Sequence, residues 1–479
     1  MPINLDEKKN LPYDWDDEES VLRYAARLSK RRLSDFVEIG QEVIGNTRTK
    51  GVFGQTVERE YFGMSPNNSS KPDFDSIGTE LKIAPIKVVS DRFESKERMI
   101  IGVIDYNRVP EMGFRMFTDK GSHILILFYR WEEDTDIYDY EFLKVVDWKP
   151  SEMDLRVIKE DWDIIEGYVM RGEAHLLSER HTKYLAANTK GVGHGRNMRA
   201  QPFSDTPAKQ RSLSFKASYV TSIFHTYPDI NEVLSKKDGM VPAYDGSIFT
   251  GLWEEGVGFE EYVLGHLNRF SGMTCQGIES ELDIDIDSKS KQYYHKLVMA
   301  MFGLPNKRYV RELAQANISI KTIRIKLNGM PKESMSFPAF KYEEIVEQTW
   351  ESSDLYEQMD HEFLFTVFGF NTNHPEKEDR KSLTFKGAFF WSLPDEDFDV
   401  IKGVWEDTRE KVIEERFDDF VRSSEGRISH VRPHAQNKDD TYPYRGKELI
   451  KKSFWFNNTY LKDIIRKNLD GVSSLKKFE

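Results

Sequence analysis

The sequence predicts an α/β protein built from two tandem copies of one domain, each a mixed central sheet flanked by helices. Short segments of the first half return in the same order about 240 residues later in the second half. TELKIAPIK (79–87) returns as ISIKTIRIK (318–326), and YFGM (61–64) returns as MFGL (301–304). In each copy, apolar strand-like runs alternate with helical patterns, which predicts a mixed sheet packed by helices.

The elements follow in order along each copy. The helical pattern at 19–37 has a counterpart at 259–277. In the first copy, ELKIAPIKVV, MIIGVI and HILILFYRW are typical of strands, and DWDIIEGYVMRG is typical of a helix. We therefore expect one domain over residues 1–228, a linker over 229–254 and a second domain over 255–479.

Composition narrows the class of protein. The single cysteine, Cys275, excludes an intrachain disulfide and favours a reducing cytoplasm. No apolar run reaches the roughly 18 residues that span a bilayer, and the polar N-terminus does not resemble a secretory signal. The net charge of −13 weakly disfavours a nucleic-acid partner, but binding depends on where the basic groups cluster. Basic blocks at 189–199 and 209–216 share one loop region.

The segment SKPDFDSIGTELKIAP (70–85) carries the clearest chemical pattern. Glu80 and Lys82 are two apart on a predicted strand, so their side chains project from one face. A turn at Gly78 would fold Asp73 back beside Glu80. Converging carboxylates would bind Mg²⁺, which prefers oxygen ligands and would lower the pKa of a bound water. Lys82 would orient that water or stabilise developing negative charge. The alternative is a polar hairpin whose charges face water.

Glu58 lies on the preceding predicted helix (54–64). It could lend a further carboxylate to the site. From spacing alone, an exposed helical acid is an equal alternative.

The second copy lacks most of these acids. In the repeat alignment Lys82 meets Lys321, whereas Glu80 meets Ser319 and Glu58 meets Val298. Asp73 falls opposite Glu312, so one acid survives there. The second copy thus keeps the aligned lysine but lacks two of the three acids, which favours a catalytic site in the first copy alone.

Competing sites have less support. His430 and His434 are spaced as two ligands on a helix, but Pro433 between them disfavours a helix and no cysteine is near. GVGHG (191–195) lacks the Gly-Lys-Ser/Thr of a P-loop.

GQTVE (54–58) followed by SKPDFDSIGTELK (70–82) resembles the signature of MutH, the mismatch-repair endonuclease, and of the related GATC-specific type II restriction endonucleases. The resemblance implies a restriction-endonuclease-like (MutH-like) fold and a Mg²⁺-dependent active site. It implies that Glu58, Asp73, Glu80 and Lys82 are catalytic, and that the three acids bind the metal. The family also uses a further lysine that precedes a later strand, and Lys120 is the residue that matches it. SKP runs into DF more directly here than in MutH, but the spacing from Asp73 to Glu80 is kept.

The resemblance also implies DNA reading by a loop after a YL segment and by a basic, aromatic helix entry. YLAANTKG (184–191) and SFKASYVTSI (214–223) are the matches in copy one, and SHVRPHAQN (429–437) and SFWFNNTYLKDI (453–464) in copy two. The Arg-Pro pair of MutH matches Arg432-Pro433, whereas copy one has Asn188-Thr189. Such basic and amide side chains contact phosphates and base edges. The predicted DNA-binding residues are Lys190, Arg196, Arg199, Lys209, Arg211, Arg432, His434, Gln436 and Asn437.

Because MutH itself is a single copy, the duplicated chain favours restriction over repair. The resemblance implies a cytoplasmic type II restriction endonuclease that cuts double-stranded DNA at GATC with Mg²⁺, with copy one catalytic and copy two an effector that binds DNA. It also implies a cognate DNA methyltransferase and pairing of two chains on DNA. The alternatives are a strand-nicking repair endonuclease and a non-catalytic GATC-binding regulator.

Overall fold

The structure, a computed structural model, describes residues 11–37, 51–64, 71–89, 91–189, 197–235, 247–248, 253, 256–425 and 428–475. The chain divides into two compact units. The first comprises Met1–Phe249 with Arg311–Asn317, and the second comprises Thr250–Val310 with Ile318–Glu479.

The helices of the described ranges are α1 (Glu18–Ala26), α2 (Val52–Thr56), α3 (Val109–Met112), α4 (Arg115–Gly121), α5 (Glu152–Met170), α6 (Ala217–Thr226), α7 (Ile230–Ser235), α8 (Phe259–Asn268), α9 (Cys275–Glu281), α10 (Tyr293–Met301), α11 (Arg311–Gln315), α12 (Tyr342–Glu347), α13 (Asp354–Met359), α14 (Asp395–Ile413) and α15 (Asn458–Leu475). None of them is both long enough and apolar enough to cross a bilayer.

The strands of the same ranges are β1 (Glu80–Val89), β2 (Arg92–Ser95), β3 (Met99–Val103), β4 (Ile124–Arg130), β5 (Phe142–Trp148), β6 (Leu185–Thr189), β7 (Met198–Gln201), β8 (Ser204–Lys209), β9 (Arg211–Phe215), β10 (Ser319–Ile325), β11 (Ser336–Phe340), β12 (Glu362–Gly369), β13 (Thr384–Ser392), β14 (Ser429–Pro433), β15 (Thr441–Tyr444), β16 (Lys447–Ile450) and β17 (Lys452–Phe456).

The first unit is built on a mixed sheet. Its strand order is β2-β1-β4-β5, with β1 and β4 parallel and the outer pairs antiparallel. A second sheet has the order β3-β9-β6, and β7 pairs with β8 as a hairpin. The central strand β4 is almost wholly buried, as expected for a strand covered on both faces. Apolar residues of α1, α2, β1 and β4 form one core cluster.

The second unit repeats this arrangement. β10 and β12 are parallel, and β13 is antiparallel to β12. The second sheet has the order β11-β17-β14, and β15 pairs with β16. Its own core cluster joins residues of β12, β13, α14 and α15. The predicted tandem α/β fold is therefore confirmed.

Equivalent turns also recur in the two units. Gly63 and Gly303, from the YFGM and MFGL segments, both adopt positive φ, at 68° and 77°. The helix predicted at 19–37 ends early, because α1 stops at Ala26 and Lys30 takes a left-handed conformation. Its counterpart α8 likewise stops at Asn268, before Gly272 at φ 90°. In both copies the helix therefore ends within the predicted segment.

Two segments lie elsewhere than the sequence suggested. Residues 230–235, within the expected linker, form α7. The side-chain amide of Asn231, in this helix, donates a hydrogen bond to the Ala26 carbonyl of the first unit. The short helix α11, from the second copy of the repeat, belongs to the first unit. There Arg311 faces Asp154 at 3.7 Å, and Gln315 accepts a hydrogen bond from the Tyr184 hydroxyl at 3.0 Å. Buried polar contacts thus fix α11 in the first unit.

Candidate active site

A tight turn brings Asp73 and Glu80 together. Phe74 and Thr79 exchange both backbone hydrogen bonds, at 2.9 and 3.2 Å, and Gly78 closes the turn at φ 68°. The Leu81 amide donates to Asp73 Oδ2 at 3.0 Å, and the Asp73 amide donates to Glu80 Oε2 at 3.2 Å. The predicted turn is confirmed, and it orients both carboxylates through backbone donors.

Two lysines converge on one oxygen of Glu80. The Lys82 ammonium lies 2.7 Å from Glu80 Oε1, and the Lys120 ammonium lies 3.3 Å from the same atom. Lys82 reaches it because side chains two apart share a face of β1. Lys120 reaches it from α4, just before β4, the parallel neighbour of β1. Glu80 itself is only 2% exposed, so these two cations and the Asp73 amide together offset the cost of burying its carboxylate.

Glu58 faces the same cluster from a distorted helix. Residues Val57–Tyr61 continue α2 in π-helical form, a distortion that often occurs at functional sites. The pKa of Glu58 is raised to about 7, mainly by burial and also by the charges of Asp73 and Glu80, while Lys82 and Lys120 oppose the rise. Burial also raises the pKa of Asp73, with Glu80 adding to the effect. The structure therefore gathers all five residues predicted to be catalytic.

The donor set of this cluster fits a hard divalent cation. Three carboxylates face two ammonium groups, and the carboxyl pKa values of Glu58 and Asp73 are raised by burial and by their acidic neighbours. A cation bound among these oxygens would relieve that repulsion and supply the missing positive charge. Asp73, Glu80 and Glu58 are the residues that would hold it.

A second cluster, of two acids and a histidine, contacts Thr79, the residue that precedes β1. Among the described residues, Glu18, His123 and Asp147 are the one set of three whose ligand atoms lie within 4.8 Å of one another; the predicted site does not meet that spacing. His123 Nε2 lies 2.6 Å from Asp147, and Nδ1 lies 2.9 Å from the Thr79 hydroxyl. Since a carboxylate only accepts, Nε2 donates to Asp147.

This group acts as a brace for the site. Lys149 already places its ammonium 3.0 Å from Glu18, and both ring nitrogens of His123 are engaged. The His123 carbonyl accepts the Glu80 amide at 3.0 Å, so the ring and the backbone of one residue hold both Thr79 and Glu80. Sequence reasoning missed this brace, although His123 is the first residue of the predicted strand HILILFYRW.

The second unit has lost the corresponding cluster. Its parallel pair repeats the same register, because both Thr79–His123 and Thr322–Thr366 contacts join residues 44 apart. In this register Ser319 replaces Glu80, and Met359, in the hydrophobic core, replaces Lys120. Lys321 remains at the position of Lys82, where burial lowers its pKa.

Glu312, the repeat counterpart of Asp73, serves a different purpose. It is fully buried in the first unit and accepts hydrogen bonds from the Ser247 hydroxyl and the Ile248 amide. Val298, opposite Glu58, is a fully buried residue of α10. None of the three positions aligned with Glu58, Asp73 and Glu80 thus provides a carboxylate to the second unit.

The predicted DNA-binding residues of the first unit have different surroundings. Lys190 and Arg196 lie outside the described residues. Arg199 and Lys209 are exposed at one end of the β7–β8 hairpin, where their strands pair. Arg211 is buried, and its guanidinium donates to the Ala187 carbonyl at 2.7 Å. In this structure Arg211 supports β6 rather than facing solvent, because its guanidinium bonds the neighbouring strand.

In the second unit the predicted residues lie on β14 and the loop after it. Arg432 is half-buried, and His434, Gln436 and Asn437 are exposed. His430 and His434 lie on a strand and beyond its end, so a helical metal pair is absent, as Pro433 indicated. Asp440 fixes the loop, since it accepts from the Gln436 amide at 2.9 Å and pairs with Lys451 at 2.5 Å.

Comparisons with known proteins match both copies. The family model described as DNA mismatch repair enzyme MutH matches residues 62–161 and 304–403. The type II restriction enzyme Sau3AI of Staphylococcus aureus is 31% identical over 476 residues, which cover 87% of this chain and 92% of that enzyme. The DNA mismatch repair protein MutH of Shewanella woodyi is 26% identical over 30% of this chain and 62% of its own length. The MutH protein of Escherichia coli strain SMS-3-5 is 22% identical over 43% of this chain and 91% of its own length.

Proposed function

Because the chain belongs to the MutH-like family of type II restriction enzymes, we propose that it hydrolyses phosphodiester bonds of double-stranded DNA at 5′-GATC-3′ with Mg²⁺. The observation that carries this proposal is the convergence of Glu58, Asp73, Glu80, Lys82 and Lys120 in the first unit. The first unit is the catalytic one. The second unit binds a GATC site as an effector.

The chemistry follows from the charges of the site. Bound by Asp73, Glu80 and Glu58, Mg²⁺ would lower the pKa of a water and neutralise charge on the reacting phosphate. Lys82 and Lys120 hold two ammonium groups within 3.3 Å of one carboxylate oxygen. They orient the attacking water and stabilise negative charge that develops on the phosphate, at a site where the Glu80 carboxylate is buried.

The effector role of the second unit rests on what it keeps. It retains the fold, an exposed loop with His434, Gln436 and Asn437, and the half-buried Arg432, but not the carboxylates. Arginine recognises guanine through O6 and N7, and amide side chains recognise adenine. A GATC site offers both bases. A methyltransferase that modifies the same site is the partner such an enzyme requires to protect its own DNA.

The experiment compares supercoiled plasmids with and without GATC, in Mg²⁺ and in EDTA. We expect linear DNA only from the GATC plasmid in Mg²⁺. Product that stops at open-circular DNA would instead indicate a strand-nicking endonuclease. Salt-sensitive GATC binding without cleavage at any enzyme concentration would indicate a non-catalytic regulator.

The chain provides its own matched control for the active site. Lys82→Ala removes an ammonium next to Glu80, whereas Lys321→Ala removes the equivalent ammonium from the second unit. We expect the first substitution to abolish cleavage and the second to leave the intrinsic chemistry intact. Equal losses from both would contradict the assignment of catalysis to the first unit.

A further inference from the structure

In the second unit, an indole supports the arginine that we assign to base recognition. The Arg432 guanidinium lies 3.8 Å from the centre of the Trp455 ring. This is well within the roughly 6 Å over which a cation is attracted to an aromatic face. Arg432 forms no ion pair with a carboxylate within the ranges that the structure describes. The indole is thus its main support.

The register of the sheet explains why Trp455 can serve this role. Trp455 pairs with His430 and Ser453 pairs with Arg432 in the antiparallel ladder of β14 and β17. Phe454 and Phe456 point into the core, so Trp455, between them, lies on the opposite face with Arg432. The His434 ring packs edge-on against the same indole, with ring centres 5.3 Å apart. One aromatic ring therefore contacts two of the predicted DNA-binding residues, Arg432 and His434.

The first unit uses a different side chain at the same position. There β6 and β9 pair in the equivalent register, so Asn188 stands where Arg432 does and Ser214 stands where Trp455 does. The Ser214 hydroxyl lies 2.5 Å from Asn188 Oδ1. In both units, a residue of the partner strand contacts the side chain at this position. The serine holds an amide by a hydrogen bond, whereas the tryptophan holds a guanidinium by stacking.

We propose that Trp455 is a positioning residue that fixes the Arg432 guanidinium for recognition of a guanine edge in DNA. This inference rests on the proposed effector function of the second unit. A guanidinium held flat in one orientation loses less entropy when it forms two parallel hydrogen bonds to O6 and N7. Stacking leaves the donor edges of the guanidinium available, which a salt bridge would not.

The structure also supplies a conservative variant. Trp455 Nε1 is buried and has no hydrogen-bond partner among the described residues. Trp455→Phe keeps an aromatic face and sacrifices no hydrogen bond, whereas Trp455→Leu removes the face but remains apolar. The two variants separate stacking from general packing.

The test is the number of DNA duplexes bound by the full chain. Titration uses Asp73→Asn protein in Mg²⁺ with a short duplex containing one GATC, and a duplex in which AATT replaces it. We expect two GATC duplexes per chain, one per unit, and one after Arg432→Ala. Trp455→Leu should also reduce the number of bound duplexes to one at the same DNA concentration, whereas Trp455→Phe should still bind two.

The outcomes separate the inference from the function on which it rests. If Arg432→Ala still binds two GATC duplexes, the proposed reading by the second unit is wrong. If Arg432→Ala binds one and Trp455→Leu binds two, the positioning role is wrong. If Trp455→Phe fails like Trp455→Leu while both unfold at the wild-type temperature, stacking is not the cause and the inference is also overturned.

Discussion

At the scale of the residue, Lys120 is the component of the site that the sequence specifies least. Its ammonium lies 3.3 Å from Glu80 Oε1, beside that of Lys82. Loss of one donor aimed at developing charge costs about 10²- to 10³-fold in kcat. We expect a loss of this order for Lys120→Ala, measured as single-turnover cleavage of a GATC duplex, with DNA affinity retained. A wild-type rate would remove Lys120 from the catalytic set.

His181 gives the first unit a defined acid sensitivity. Burial and nearby cationic residues lower the pKa of His181 to about 4, and its ring stacks on Tyr168. Because the unfolded chain takes up the proton near pH 6.5, stability should be lost as the pH falls from about 6.5 to 4. His181→Asn keeps the acceptor for the Ser178 amide but cannot be protonated. We expect its unfolding temperature to fall less between pH 7 and 4.5 than that of the wild type. An equal fall in both proteins would contradict this.

Local spacing predicts single residues only where the contact is local. Glu80 and Lys82 are predictable, because alternation along a strand puts them on one face. The His123 brace is not, because its contacts to Thr79 and Asp147 join residues 44 and 24 positions apart. For Arg211, membership of a basic block predicts an exposed, DNA-facing side chain. In the structure, the register of β9 places its guanidinium against the neighbouring strand β6 instead.

At the scale of the element, the turn at 74–79 determines the geometry of the site. Gly78 adopts φ 68° with open space where a Cβ would lie, so Gly78→Ala should introduce backbone strain without a clash. The cost is about 1 kcal/mol. We expect lower thermal stability together with slower cleavage, since the turn holds Asp73 next to Glu80.

Gly303 is the matched control for this turn. It has φ 77° and is equally open, but it lies in the second unit. Gly303→Ala should destabilise the protein by a similar amount and leave the rate of the chemical step unchanged. If it slowed cleavage as much as Gly78→Ala, general strain rather than the geometry of the turn would explain the effect.

Elements with strong patterns are predictable, and short polar ones are not. β1, β3 and β4 coincide with their predicted strands because they are long or almost continuously apolar. The β7–β8 hairpin lies in a region that the sequence marks only as a basic loop. Most of its residues are polar and exposed, so no apolar alternation indicates the two strands. The repeat could not place α11 in the first unit, because that position depends on tertiary contacts of Glu312 and Gln315.

At the scale of the whole molecule, the proposed catalytic set occurs once among the residues that the structure describes. The second unit keeps Lys321 but has Ser319 and Met359 where the first has Glu80 and Lys120. Double-strand cleavage then requires two chains at the site or two successive nicks. We propose that two chains pair on DNA. The initial rate of linear product should therefore rise more than proportionally with enzyme concentration. Proportional rates with an open-circular intermediate would indicate successive nicks by single chains.

Cleavage of GATC plasmid by Asp73→Asn protein in Mg²⁺ tests most directly whether the catalytic centre lies in the first unit. The substitution preserves an acceptor for the Leu81 amide and removes one carboxylate charge from the first unit. We expect no linear and no open-circular product from this variant, with binding of GATC DNA retained and with Ser319→Ala protein cutting like the wild type. Cleavage by Asp73→Asn at the wild-type rate would show that the catalytic centre lies elsewhere.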